Sequence, residues 1–235
     1  MSRAESRSVP PAPRLRRALR LAAEDLYYHG VRLVVANLVW GIAAVLTAFA
    51  ITRSPLGLLA VVAMVPLTVG LMGMATAVVR ERTVVMSDFT RALRGRVWRL
   101  LALGVAQLAL VALAIFDLLL GVQLGGFLGL LLSLFAFYTG VAIWVLALVV
   151  WPIVADPERR DEPVRSSVRL GALLTLAHPV RMGLLALVLG ALTLASTILV
   201  AAIITFAAAY LALVAAHYVL PSADRLEGRA TLIEG

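Results

Sequence analysis

Residues 182–220 read MGLLALVLGALTLASTILVAAIITFAAAYLALVAAHYVL, 39 consecutive positions without Asp, Glu, Arg or Lys. As one helix the stretch would be about 58 Å long at 1.5 Å per residue, whereas about 20 residues cross a bilayer. A single helix would hold Leu, Ile and Phe in water beyond the membrane. The stretch therefore predicts two spans joined by a very tight turn near 199–203, and with it an all-α polytopic membrane protein.

The same pattern extends toward the N-terminus. Four further apolar runs are expected to span, at about Val31–Ile51, Leu56–Val79, Trp98–Leu120 and Phe127–Trp151. Arg53-Ser54-Pro55 separates the first two. Arg80-Glu81-Arg82 ends the second, and Pro152 is expected to stop the fourth. Gly121–Gly126 reads as the turn between the third and fourth. Hydrophobic residues make up 62% of the 235-residue chain and charged ones 14%, a balance that a soluble core of this size does not accommodate.

Between the spans lie amphipathic segments. Residues 14–30 open with RLRRALRLAAEDLYY, in which Leu15, Ala18, Leu19, Ala22 and Leu26 recur at helical spacing while the charges lie mainly off that stripe. Such a helix either lies in the headgroup plane or packs on the end of the bundle. Segments 83–97 and 164–178 read as similar surface helices, with Asp88 near the N-terminus of the first, where an acid complements the helix dipole. Asp156–Pro163 reads as a solvated loop. Residues 1–13, with three prolines, read as a disordered tail, and 221–235 as a polar cytoplasmic tail. RALRGRVWRLLAL before span three and GALLTLAHPVRMGLLAL before span five suggest three helical hairpins, each introduced by an amphipathic segment. Duplication and convergent anchoring by interfacial Arg both account for this.

All 21 basic residues are Arg, and the formal net charge is +8. With six spans and a cytoplasmic N-terminus, 20 Arg fall on the cytoplasmic side and only Arg53 falls outside. The positive-inside rule then predicts a bacterial inner-membrane protein with both termini in the cytoplasm. Charge set beside apolar spans faces anionic lipid, so nucleic acid is not an expected partner. The absence of Cys excludes disulfide and thiolate chemistry. His29, His178 and His217 lack metal-ligand spacing, and no phosphate-loop or nucleophile motif occurs. Neither a cofactor nor an enzymatic activity is expected.

The polar and helix-breaking residues inside the spans are the candidate site. Pro66, followed by Thr68 and Gly70, frees a backbone carbonyl near mid-span; such interruptions line substrate sites in transporters or serve as ordinary kinks. Asn37 and Gln107 need hydrogen-bond partners in hydrocarbon, either across helices or from a solute. Asp117, three residues from the expected end of span three, is a proton or cation site if buried and a cheap headgroup-level acid if not.

Asn37-Leu38-Val39-Trp40, Pro66-Leu67-Thr68-Val69-Gly70, Ala75-Thr76-Ala77 leading to Arg80, Asp88-Phe89 and the Ser167–Pro179 segment together give the chain a likeness over roughly residues 25–220. In these it resembles the YesL-like family of bacterial membrane proteins, whose molecular function is not established. It departs from that pattern in the stretch containing Arg53-Ser54-Pro55, which sets the first two motifs further apart than usual. The resemblance implies an accessory of carbohydrate uptake or degradation systems. Two functions stand as expectations: a component or accessory of solute transport, or a membrane scaffold or assembly factor with no solute of its own. The partners are the bilayer and a membrane complex such as a transporter.

Overall fold

The computed structural model describes residues 14–54, 57–199 and 203–228. The expected tails at 1–13 and 229–235 lie outside the described residues. So does part of the expected turn, residues 200–202.

Among the described residues nine α-helices follow one another: α1 Leu15–Tyr28, α2 Gly30–Arg53, α3 Leu58–Glu81, α4 Met86–Arg91, α5 Val97–Leu124, α6 Gly126–Ala155, α7 Val164–Ala177, α8 Pro179–Ile198 and α9 Ala208–Leu226. A wide helical turn, Ile203–Ala207, leads into α9. Six helices among the described residues are long and apolar enough to cross a membrane, and they correspond to the six spans read from the sequence.

Some boundaries differ. Helix α6 runs through Pro152 to Ala155, because a proline this close to a helix end removes few bonds and the Ala155 carbonyl is taken by the Thr76 hydroxyl at 3.1 Å. Helix α9 likewise runs through Pro221 to Leu226, so residues 221–226 are not tail. Helix α5 continues to Leu124. The turn to α6 is made by Gly125 and Gly126 alone, both at φ +60°, a left-handed conformation that glycine adopts without a Cβ penalty.

The even-numbered spans, α3, α6 and α9, pack against one another, α6 through its last third, Val145–Ala155, while its first half is exposed like the outer spans. The odd-numbered spans, α2, α5 and α8, lie outside them with much of their Leu, Val, Ile and Phe surface exposed, as lipid-facing helices require. The short helices pack on the inner ones: α1 on α9, α4 on α3 and α7 on α6. Close approach rests on small residues. Ala18 and Ala22 of α1 are buried. A Cβ on Gly70 would meet the Phe89 ring at 2.7 Å, and one on Gly73 would meet Ala92 Cβ at 2.4 Å. A Cβ on Gly171 of α7 would meet the Val150 side chain at 2.7 Å. The Gly70–Gly73 stripe after Pro66 is therefore the seat of α4.

A close backbone approach joins α2 to the wide turn before α9. A Cβ on Gly41 would meet Ile204 Cα at 2.6 Å. Neither partner is a flexible side-chain end, so the helices must part. Gly41→Ala is expected to lower stability by about 1–3 kcal/mol, the usual cost of overpacking, read as a lower melting temperature in mild detergent.

Candidate functional site

At the end of the bundle where α3, α6 and α9 terminate, four charged side chains form a closed square. Arg80, in the last turn of α3, donates from Nη2 to Asp156 Oδ2 at 2.6 Å and from Nη1 to Asp224 Oδ2 at 2.7 Å. Arg159, in the one-turn helix after α6, donates from Nη1 to Asp156 Oδ2 at 2.5 Å and from Nη2 to Asp224 Oδ1 at 2.6 Å. Each guanidinium bridges both carboxylates. Arg159 also reaches Glu227 at 2.8 Å, and Glu158 stands 3.4 Å from Arg80. The side chains of Arg159 and Asp156 are completely buried.

The local sequence explains why these groups arrive here. Asp156 follows the last residue of α6, and its carboxylate accepts from the Glu158 backbone N–H at 3.1 Å, which turns the chain so that Arg159 folds back. Asp224 lies in the final turn of α9. Both acids sit at helix C-termini, where the macrodipole disfavours negative charge, so the two Arg must supply the compensation. Burial opposes the Arg159 charge, but the hydrogen bonds to Glu227 and Asp224 and the nearby carboxylates outweigh it and hold the group more firmly protonated than usual. Asp156–Pro163 is thus not the solvated loop expected from its composition. Its first acid and first Arg are core residues because oppositely charged partners from α3 and α9 close over them.

Beside the square lies a cleft of about 450 Å³ between α3, α4 and the end of α6, lined in part by Glu81, Asp88, Arg91, Arg96, Ala155 and Arg160. Asp88 is buried, and its carboxylate accepts the Val85 N–H at 2.9 Å, which fixes the start of α4. Arg96 is also buried. It donates one long hydrogen bond, 3.4 Å, to the Val154 carbonyl. Its Nη2 has no acceptor among the described residues. Burial, together with the charges of Arg160 and Arg99, weakens its hold on the proton.

The residues singled out in the spans are placed on separate seams. Asn37 is fully buried and serves the wide turn: Nδ2 donates to the Ile204 carbonyl at 2.8 Å and Oδ1 accepts the Ala209 N–H at 2.6 Å. These are backbone groups that a widened turn displaces from regular pairing. Trp40 of α2 donates to the Thr68 hydroxyl at 3.0 Å. Trp151 of α6 donates to Gln107 Oε1 at 2.8 Å. Pro66 lies inside an unbroken α3. Asp117 is partly exposed, two turns from the end of α5 and at the opposite end of the bundle from the square. His217 bonds Asp25 of α1 at 2.6 Å.

The square was missed because each member looked like an ordinary flanking charge. The available signal was positional: the second, fourth and sixth spans each end in a buried-capable charge, Arg80, Asp156 and Asp224, of mixed sign. No family model matches the chain, and neither does a curated protein or a solved structure.

Removing one member of the square leaves a buried charge uncompensated, which costs roughly 3–5 kcal/mol. Arg80→Met and Asp224→Asn are each expected to lower stability by about that amount. The double variant keeps the Arg159–Asp156 pair and should lose clearly less than the sum. Melting temperatures of the four proteins give the coupling directly.

Proposed function

We propose that this chain is a membrane scaffold or assembly factor of the bacterial inner membrane that moves no solute itself and works from its charged, cytoplasmic face. One observation carries the reading: three of the polar side chains that a solute path through the spans would use are committed within the bundle, and the fourth, Asp117, stands apart from them near the far end of α5. Asn37 holds the turn before α9, Thr68 holds Trp40 and Gln107 holds Trp151. The ion square adds to this by tying the three inner helices together at one end, whereas alternating access requires one group of helices to rock against another. The partner that the YesL-like resemblance favours is a transport complex, with carbohydrate uptake systems first, so the chain would be an accessory to transport and not the conduit.

The topology follows from the Arg distribution and is simple to test, because the chain contains no Cys. Single substitutions Ser87→Cys, before the middle of α4, and Gln123→Cys, at the far end of α5, are both on exposed positions. In intact cells an impermeant maleimide is expected to label Gln123→Cys and to reach Ser87→Cys only after the membrane is opened. The reverse pattern overturns the orientation.

For function, the purified chain reconstituted into vesicles is expected to leave the uptake of a panel of mono- and oligosaccharides unchanged. Crosslinking in native membranes is expected to trap one defined membrane partner through α4 or α7. Sugar uptake by the chain alone would reject the scaffold reading.

A further inference from the structure

Two buried Arg sit about the charged end, and their surroundings differ in kind. Arg159 has three carboxylate partners within 2.8 Å. Arg96, with 8% of its surface exposed, has no carboxylate within ion-pair distance among the described residues and makes one long bond to a carbonyl. Its Nη2 is buried without an acceptor among the described residues. A buried cation in that condition is costly. It lines a cleft large enough for a small organic group, and that cleft also presents Arg91 and Arg160.

We propose that the cleft between α3, α4 and the end of α6 binds a phosphoryl oxyanion, with Arg96 as the inner anchor and Arg91 and Arg160 at the mouth. The fit is chemical as well as spatial. A guanidinium offers a planar fork of donors that phosphate oxygens accept, and Arg is the side chain best suited to such recognition. Arg160 already donates to the Arg94 carbonyl at 3.0 Å, which holds it against the α4–α5 connection. Arg91 is exposed and stands 3.5 Å from Asp88. A second cleft, shared with the first at Arg91 and Arg160 and also lined by Ser87, Thr90 and Arg94, continues the basic surface outward.

The acids limit what fits. Three guanidinium groups in the main cleft face Glu81 and Asp88, while Asp156 is held in the square. The lining therefore keeps a positive balance of modest size, suited to a phosphate ester of low charge. Two sources share this chemistry. Basic pockets between spans on the cytoplasmic side accept anionic lipid headgroups, and a soluble phosphate presents the same oxygens. The site does not rest on the scaffold reading.

The test uses the full chain, stripped of lipid in a neutral detergent. Its melting temperature is measured with inorganic phosphate against potassium chloride of equal ionic strength, and separately in vesicles of phosphatidylcholine with and without phosphatidylglycerol. Ligand binding to the folded state is expected to raise the melting temperature by roughly 3 °C or more at saturation. A rise with phosphatidylglycerol alone assigns the site to a lipid headgroup, and a rise with phosphate in detergent assigns it to a soluble ester. Arg96→Gln decides whether the effect belongs to this cleft. Because it removes an uncompensated buried charge, the variant is expected to melt at or above the parent temperature without anion, and to lose most of the rise with it. Arg91→Gln, at an exposed position, should halve the response or more. No rise with either probe overturns the proposal, and so does a full rise that persists in Arg96→Gln.

Discussion

The arrangement depends on charge compensation at one point, where the ends of α3, α6 and α9 meet over Arg80, Asp156, Arg159 and Asp224. Buried ion pairs are weak sources of net stability, since desolvation offsets much of their attraction. Their effect here is selective. A shift of one inner helix along its axis by a single turn would move a carboxylate or guanidinium about 5 Å from its partners. Apolar seams between Leu, Val and Ala tolerate such slips far better, because lipid tails and neighbouring helices offer similar surroundings. The square therefore fixes the relative height of the inner helices, which hydrophobic matching alone leaves loosely set.

Around that point the chain closes in three units. Each consists of a short helix, an outer span and an inner span: α1–α2–α3, α4–α5–α6 and α7–α8–α9. The short helix of the second unit packs on the inner span of the first, that of the third on the second, and α1 returns to α9. The contacts differ in detail but share small residues at the approach: Gly70 and Gly73 under α4, Gly171 of α7 against Val150, and Ala18 and Ala22 of α1. Polar ties add to the closure, with Tyr210 of α9 donating to the Leu19 carbonyl at 3.2 Å and His217 bonding Asp25. The sequence motifs that suggested three hairpins thus correspond to a cyclic packing order. Interfacial Arg alone accounts for repeated anchoring, but it does not require each short helix to sit on the preceding unit's inner span.

Most of the fold was legible because a bilayer imposes it locally. An uncharged run of 20 residues has one stable answer, and Arg-rich connections mark where the first and last apolar runs begin and where the second span meets the third and the fourth the fifth. The amphipathic stripe of residues 14–30 was equally plain, and its apolar side is the one turned to α9. The site was less legible for a physical reason. Arg80 meets residues 76 and 144 positions away, and Arg159 meets one 65 away. No periodicity encodes such pairings. Asp156 and Arg159 also stand in a run of eight charged or Pro residues, Asp156–Pro163, whose composition says solvent. Pro66, Thr68 and Gly70 stand out in the sequence as the polar and helix-breaking residues of the second span. Their chemistry pointed to a broken helix, while their use is steric and hydrogen-bonding: a seat for Phe89 and a partner for Trp40.

The charged end also shows why residue type alone does not separate structure from function. Arg159 and Arg96 are both buried, both lie just outside spans and both follow directly from an Arg-rich connection. Around Arg159 the carboxylates of two helices and of Glu227 converge, and the charge is held more firmly than in water. Around Arg96 burial and the like charges of Arg160 and Arg99 outweigh the attraction of Asp161 and Glu162, and its hold on the proton is weakened. Around Arg159 both terminal nitrogens are met by carboxylates and only Nε lacks an acceptor among the described residues, so a ligand would have to displace a partner. Arg96 opens onto a cleft. A fold that compensates one buried Arg so fully has the means to compensate another: a carboxylate at Ala92 or Ala155, both on the cleft wall, would serve. Alanine at both positions keeps the cleft open and leaves the positive charge of Arg96 available to an anion from outside the chain.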